Sequence, residues 1–277
     1  MGHVWHLLAH DFLKFIAHIL SIGRAMYDCR GLSGRFKLTL AQRAVYVLVS
    51  TSSPCYHSVM SQTHTATYVF NGKSLNALAV SLNGQKIPAW LDEEIRTAFE
   101  KLAPYIKNDN QVIYLRDIKF LAIDGKYPGG HCYNSYEAMI ALPDWEADKQ
   151  QVVATINHEL HHMARWQNPG YGDTLGGAVL SEGIATYYEE MISGWTPPWA
   201  QADVSSEAFD NAIKNWTDNQ YDHSGWFFEG KYGKWVGYAI GYRLARELFS
   251  DNFDLAKSIN IKPDEVEHLL KGLESSK

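Results

Sequence analysis

Apolar positions change their period near residue 60. Before it, Trp5, Leu8, Phe12, Phe15, Ile16, Ile19 and Ile22 recur at helical spacing and predict an amphipathic helix. Cys29 to Gly34 reads as loop, and Leu38 to Val49 as a second apolar element that could be helix or strand. From Thr63 a two-residue period takes over. Thr65 to Phe70 alternates and is β-branched or aromatic, which predicts a strand closed by an Asn71-Gly72 turn. Ser74 to Leu82 fits strand or helix. Pro88 opens a helix from about Ala89 to Ile106, with Leu91, Ile95, Phe99, Leu102 and Ile106 on one face. Gln111 to Asp117 is a short buried strand, Asp124 to Asn134 a Gly-rich loop, and Glu137 to Leu142 another strand.

Beyond this point the helical period dominates. Val152, Val153, Ile156, Leu160 and Met163 form a buried stripe through Ala154 to Trp166, which Asn168-Pro169-Gly170 stops. Leu175 to Met191 is a second helix, with Ile184, Tyr187, Tyr188 and Met191 as its packing side. Gly194 to Trp199 is a rigid aromatic loop and Tyr221 to Gly233 a Gly/aromatic one. Helices are expected over Ser206 to Trp216, Lys234 to Ser250 and Pro263 to Leu273. The fold class that follows is α+β: a small sheet over the helix at Ala154, then a mostly helical C-terminal part.

That helix carries His158-Glu159-Leu160-His161-His162, an H-E-x-x-H. Helical residues four apart lie about 6 Å along the axis and about 40° around it, so His158 and His162 share a face. Two neutral imidazoles so placed can close on one Zn²⁺, and Glu159 is set to act as general base on the metal's open side. A catalytic site of this kind takes a third, carboxylate ligand and leaves one position for water. Glu182, twenty residues after His162 and inside the next helix, meets that need if the two helices pack antiparallel. Glu189, Glu190 and Asp173 are the alternatives; Asp173 fits better as a cap of the second helix. His161 lies about 60° off the ligand face, where supporting a ligand or facing solvent suits it better than ligation.

HELHH followed by SEGIA at this spacing resembles the gluzincin metallopeptidases, in which HExxH, a loop and a Glu in a second helix hold zinc. GYAIGYRLARELF downstream, with Gly129-Gly130 and Asn134 upstream, narrows the resemblance to the bacterial predicted Zn-dependent protease family (domain of unknown function 2268), over about Ile87 to Leu273. The resemblance implies a zincin-like fold and a zinc peptidase with His158, His162 and Glu182 as ligands and Glu159 as base. It also implies a Tyr or His donor for the oxyanion, for which Tyr238, Tyr242 and His223 are the candidates. It further implies that the strand before the zinc helix, Glu137 to Leu142, is the sheet edge that pairs with substrate, although an inner strand would read the same. The sequence departs from thermolysin-like enzymes at one point. Where an Asp four residues after the glutamate ligand orients a histidine, this chain has Thr186.

Composition adds exclusions. A hydrophobic content of 46%, a charged content of 20% and a net charge of −6 describe a globular protein with no call for nucleic acid. Three cysteines, with no CxxC, make neither a disulfide framework nor a structural zinc cluster. No apolar run reaches the roughly 20 residues that cross a bilayer, and Asp11 and Lys14 interrupt the first apolar segment as a secretory signal. A cytoplasmic location is the expectation. Residues 1–59 carry six Lys/Arg against two Asp/Glu and are read apart from a metallopeptidase domain over 60–277. They form a helical extension, a membrane-surface helix, or a stretch outside the native protein with Met60 as its start; the charge switch favours the first or the last. The function expected is zinc-dependent hydrolysis of peptide bonds in a peptide or protein substrate, by an endopeptidase. A zinc hydrolase of another bond and a non-catalytic zinc-binding or regulatory scaffold are the alternatives.

Overall fold

The computed structural model describes residues 62–80, 88–117, 127–142 and 149–274. The expectations for residues 1–59 lie outside the described residues. The N-terminal half is a five-stranded mixed sheet: β1 (Gln62–Phe70), β2 (Lys73–Val80), β3 (Asn110–Asp117), β4 (Gly129–Cys132) and β5 (Glu137–Leu142), in the order β1-β2-β3-β5-β4. β1 and β2 are an antiparallel hairpin in which Asn71 and Gly72 both take positive φ, 49° and 79°. A two-residue turn of that kind matches the twist of the strands, and Asn-Gly is the pair that tolerates it. β2, β3 and β5 run parallel, and β4 returns antiparallel on the outside of β5. The helix α1 (Ala89–Leu102) supplies the crossover from β2 to β3.

Two expectations are corrected here. β5 is an inner strand, and the edge is β4, which lies inside the stretch read as Gly-rich loop. Two glycines and four residues give no period to read; pairing with β5 makes this segment a strand.

Helix α2 (Lys149–Trp166) packs under the sheet. Helix α3 (Leu175–Ser193) returns beside α2, capped by Thr174, whose hydroxyl accepts from the Gly177 N–H at 3.1 Å, and closed by Gly194 at φ 72°. Thr174, not Asp173, is thus the capping residue. The rest is helical: α4 (Ser206–Lys214), α5 (His223–Phe227), α6 (Val236–Leu248), α7 (Leu255–Asn260) and α8 (Pro263–Glu274). α5 lies in the stretch read as a Gly/aromatic loop and α7 in one the sequence left unassigned, each too short to show a period.

The apolar stripes meet in two cores. Leu91, Ile95, Phe99, Ile156, Leu160 and Met163 join the inner face of the sheet in the first. Ile184, Phe209, Phe227, Leu244 and Val266 form the second, between α3 and the C-terminal helices. Met191, expected on the packing side of α3, is instead 51% exposed. Arg165 ties the two halves together. It is buried, and its Nε donates to Ser181 Oγ (2.9 Å) while its terminal nitrogens donate to the carbonyls of Ser258 (3.0 Å) and Ile261 (2.8 Å) at the end of α7. Burial lowers its pKa to about 10, which leaves the guanidinium charged.

α3 and α6 touch backbone to backbone at Gly183 and Gly241. A Cβ on Gly183 would lie 2.0 Å from the Gly241 carbonyl carbon, and one on Gly241 would lie 2.1 Å from the Val179 carbonyl oxygen. This approach brings α6 close against the helix that carries Glu182. Gly183→Ala is therefore expected to destabilise the protein by at least the ~1–3 kcal/mol typical of overpacking. Urea unfolding of the variant measures this, and a change below about 0.5 kcal/mol would show that the helices part without cost.

Candidate metal centre

All residues of α2 from Val152 to Arg165 are buried, including seven polar ones. Such a helix needs partners for those side chains, because an unsatisfied polar group in a core costs about 1–3 kcal/mol. Two are satisfied within the helix: Thr155 and Asn157 donate to the carbonyls of Gln151 (3.0 Å) and Val153 (2.9 Å). His161, expected to face solvent or support a ligand, is fully buried. Its Nε2 meets Ser258 Oγ at 3.1 Å. Because the Ser258 hydroxyl donates to Leu255 O (2.8 Å), His161 is the donor in that bond.

His158, His162 and Glu182 converge, their three ligand atoms within 4.8 Å of one another. The Nε2 atoms of His158 and His162 are 2.9 Å apart, and Glu182 Oε2 lies 3.3 Å from the first and 3.4 Å from the second. Ligands about 2.0–2.1 Å from a tetrahedral Zn²⁺ stand roughly 3.4 Å from each other, so these donors fit the ion in type, number and separation. Burial alone would push Glu182 up; hydrogen bonds and charge from His162 and His158 hold it well below the usual carboxylate range. Burial also works against His158, but Glu189 and Glu182 outweigh it and raise the imidazole well above its ordinary value. His162 is lowered, first by burial and then by the neighbouring His158 charge.

Glu189 is the residue that sequence reasoning misplaced. Weighed as a rival ligand, it accepts instead from His158 Nδ1 through Oε2 at 3.2 Å. That bond fixes the ring and turns the Nε2 lone pair toward Glu182. Thr186, where the resemblance put the orienting group, is buried with its hydroxyl unpartnered among the described residues. Seven residues separate Glu182 from Glu189, two turns on one face, and that spacing was the available signal. The Trp199 N–H favours the charged form of Glu189 without reaching hydrogen-bond geometry. Glu190 accepts from Tyr242 and Thr196, and Asp173 is exposed, so neither approaches the histidines. Tyr171, in the α2–α3 loop, carries no period and was missed; its hydroxyl donates to Glu182 Oε1 at 2.5 Å.

Glu159 lies against β4. A Cβ at Gly130 would fall 2.4 Å from Glu159 Cγ, so only glycine leaves room for this side chain. Burial, reinforced by Glu182 and Glu189, pushes its pKa up to about 8 against the pull of His158 and a bond from the Cys132 backbone. Oε2 of Glu159 is buried with no partner among the described residues. Tyr133 N donates to Glu137 O at 2.9 Å, so by antiparallel alternation Gly129 and His131 turn their backbone groups toward β5 and Gly130 turns its own outward.

Of the three oxyanion candidates, Tyr238 is the one that feels the charges of all three carboxylates of the cluster. Burial raises its phenol well above the usual value, and the charges of Glu182, Glu159 and Glu189 add to that. His223 stacks on Phe227 (4.6 Å between centroids), pairs through Nδ1 with the Tyr221 hydroxyl (3.3 Å) and is lowered by burial against the pull of Glu182. Tyr242 is committed to Glu190 on the far side of α3.

A family model described as Predicted Zn-dependent protease (DUF2268) matches residues 91–268. No curated protein matches the chain. Among solved structures, an aminopeptidase N family protein from Idiomarina loihiensis aligns with a TM-score of 0.45 at 14% identity, over 78% of this chain and 42% of its own. An M1 zinc metallopeptidase from Deinococcus radiodurans aligns with a TM-score of 0.36 at 10% identity, over 76% and 51%. The chain thus spans about half or less of the length of these proteins. Among the described residues no helix is long and apolar enough to cross a membrane.

Metal content checks the centre directly. The purified protein is expected to hold about one Zn²⁺ per chain, and His158→Ala, His162→Ala and Glu182→Ala are each expected to lose it. Glu189→Gln should keep the ion but bind it about 10–100-fold more weakly, as removal of an orienting partner does, whereas Thr186→Ala should not change the affinity. Equal zinc affinity in Glu189→Gln and wild type would remove Glu189 from this role.

Proposed function

The chain belongs to the predicted Zn-dependent protease family, and from that premise we propose that it hydrolyses peptide bonds, with His158, His162 and Glu182 holding Zn²⁺ and Glu159 as general base. The observation that carries this reading is the unpartnered, buried Oε2 of Glu159 beside three converging metal donors. A structural site would close the fourth side; here a carboxylate oxygen with no other bond is left over. When bound, Zn²⁺ supplies a Lewis acid that polarises a carbonyl and lowers the pKa of water to about 7.

The protein groups do the rest. Glu159 takes the proton of the attacking water and delivers it to the departing nitrogen. Gly130 keeps that carboxylate in reach and turns its own N–H and C=O outward, where an extended chain can add to β4 as a further strand. Tyr238, a neutral donor at working pH, supplies a hydrogen bond to the oxyanion that develops on the substrate carbonyl. We read the cleavage as one within a chain, because an edge strand binds an extended backbone without needing its end.

Cleavage of a mixed peptide library with and without a chelator tests this reading, run beside Glu159→Gln. The variant retains volume and zinc but cannot accept the proton, and turnover is expected to fall by about 10²–10⁴-fold. Equal turnover in both proteins would overturn the mechanism. Zinc binding without any cleavage would point to a binding scaffold.

A further inference from the structure

The two oxygens of Glu182 have different partners. Oε2 faces both histidine Nε2 atoms, while Oε1 accepts from the Tyr171 hydroxyl. We propose that Tyr171 is a positioning residue that reserves Oε1 and so leaves Glu182 a single oxygen for the metal. The inference rests on the metal-centre reading above and assigns Tyr171 a part in it.

The geometry makes Tyr171 a fixed post rather than a wandering loop side chain. It stands between Gly170 and Gly172, whose φ values of 90° and 105° belong to the left-handed region that glycine enters without strain. Gly172 lies so close to α3 that a Cβ there would fall 2.5 Å from the Gly177 Cα. The Tyr171 carbonyl accepts from Ser181 Oγ at 2.6 Å, and Ser181 Oγ in turn accepts from Arg165 Nε at 2.9 Å. Arg165 is itself anchored on the carbonyls of Ser258 and Ile261. The ring packs beside His162 and Trp166, with centroids 5.6 and 5.7 Å away. A chain of bonds therefore runs from the end of α7 through the buried arginine to the backbone of the tyrosine whose hydroxyl holds Glu182.

Two consequences follow. A carboxylate with one oxygen in a charge-assisted hydrogen bond is not free to rotate and chelate through both. Single-oxygen ligation keeps a coordination position open, and the same bond holds the carboxylate in one orientation, as partners beyond the ligands do in other metal sites.

Tyr171→Phe removes one oxygen and leaves the ring contacts. In competition with a chelator, the variant is expected to bind Zn²⁺ about 10–100-fold more weakly than wild type. The Co²⁺-substituted variant should show a weaker and shifted visible band, because a second carboxylate oxygen enters the coordination sphere. A merely structural role would leave the cobalt spectrum alone. Zinc affinity within about twofold of wild type and an unchanged spectrum would overturn the inference. The zinc-loaded wild-type crystal structure is a second test that needs no variant. Tyr171 on Oε1 with Oε2 alone on the metal supports the assignment, and both oxygens on the metal, or Tyr171 turned away, refutes it. Neither readout depends on peptide turnover. Zinc uptake by wild type with no effect of Tyr171→Phe sinks this inference alone, whereas no zinc uptake by wild type sinks the metal centre with it.

Discussion

The burial of a polar helix face constrains everything else in this protein. Two imidazoles and three carboxylates from α2 and α3 sit in one low-dielectric volume. Transfer of such groups out of water costs several kcal/mol each unless charge and hydrogen bonds offset it. The offset is arranged pairwise: Glu189 holds His158, Tyr171 holds Glu182, and Glu182 faces both histidines. What that arrangement leaves over, Glu159 Oε2 and the three converging donor atoms, is a set of groups that a cation and a water would satisfy.

The surrounding fold serves that volume. β4 covers Glu159 with a glycine instead of a side chain, which admits the carboxylate and keeps the sheet edge close to it. The glycine contact between α3 and α6 holds the helix of Tyr238 against the helix of Glu182, and Arg165 locks the last turn of α2 to α3 and α7. Four carboxylates lie on α2 and α3, but they do different work. Glu182 faces the histidines, Glu189 orients a ring, Glu159 is left available, and Glu190 fastens Tyr242 and Thr196 outside the centre. Position around the helix decides between these roles, since the side chains are chemically the same.

What was legible in the sequence was what depends on period. The four-residue spacing of His158 and His162 and the antiparallel return of a second helix were enough to bring Glu182 to them. The two zinc helices and the hairpin turn at Asn71-Gly72 follow from local rules that tertiary packing leaves untouched. Glu189 was visible but assigned by its distance along the helix from Glu182. That reasoning overlooked that an imidazole has two nitrogens pointing different ways, so a group two turns on can serve the far one. Tyr171 was not legible at all, because a loop between helices sets no period and its meeting with Glu182 depends on two glycines in left-handed conformations. β4 was hidden for the opposite reason. Its residues favour loop, and only the presence of β5 makes them a strand.

The central claim is that the buried polar face of α2 and α3 exists to hold a metal ion, and the unfolding transition with and without zinc tests it most directly. A ligand that binds only the folded state at about 1,000 times its dissociation constant stabilises by about 4.1 kcal/mol. For a domain of this size that raises the melting temperature by about 8–16 °C. The account predicts such a rise for the wild-type protein and its disappearance in His158→Ala. A melting temperature indifferent to zinc in the wild-type protein, or an equal rise in the variant, would contradict it.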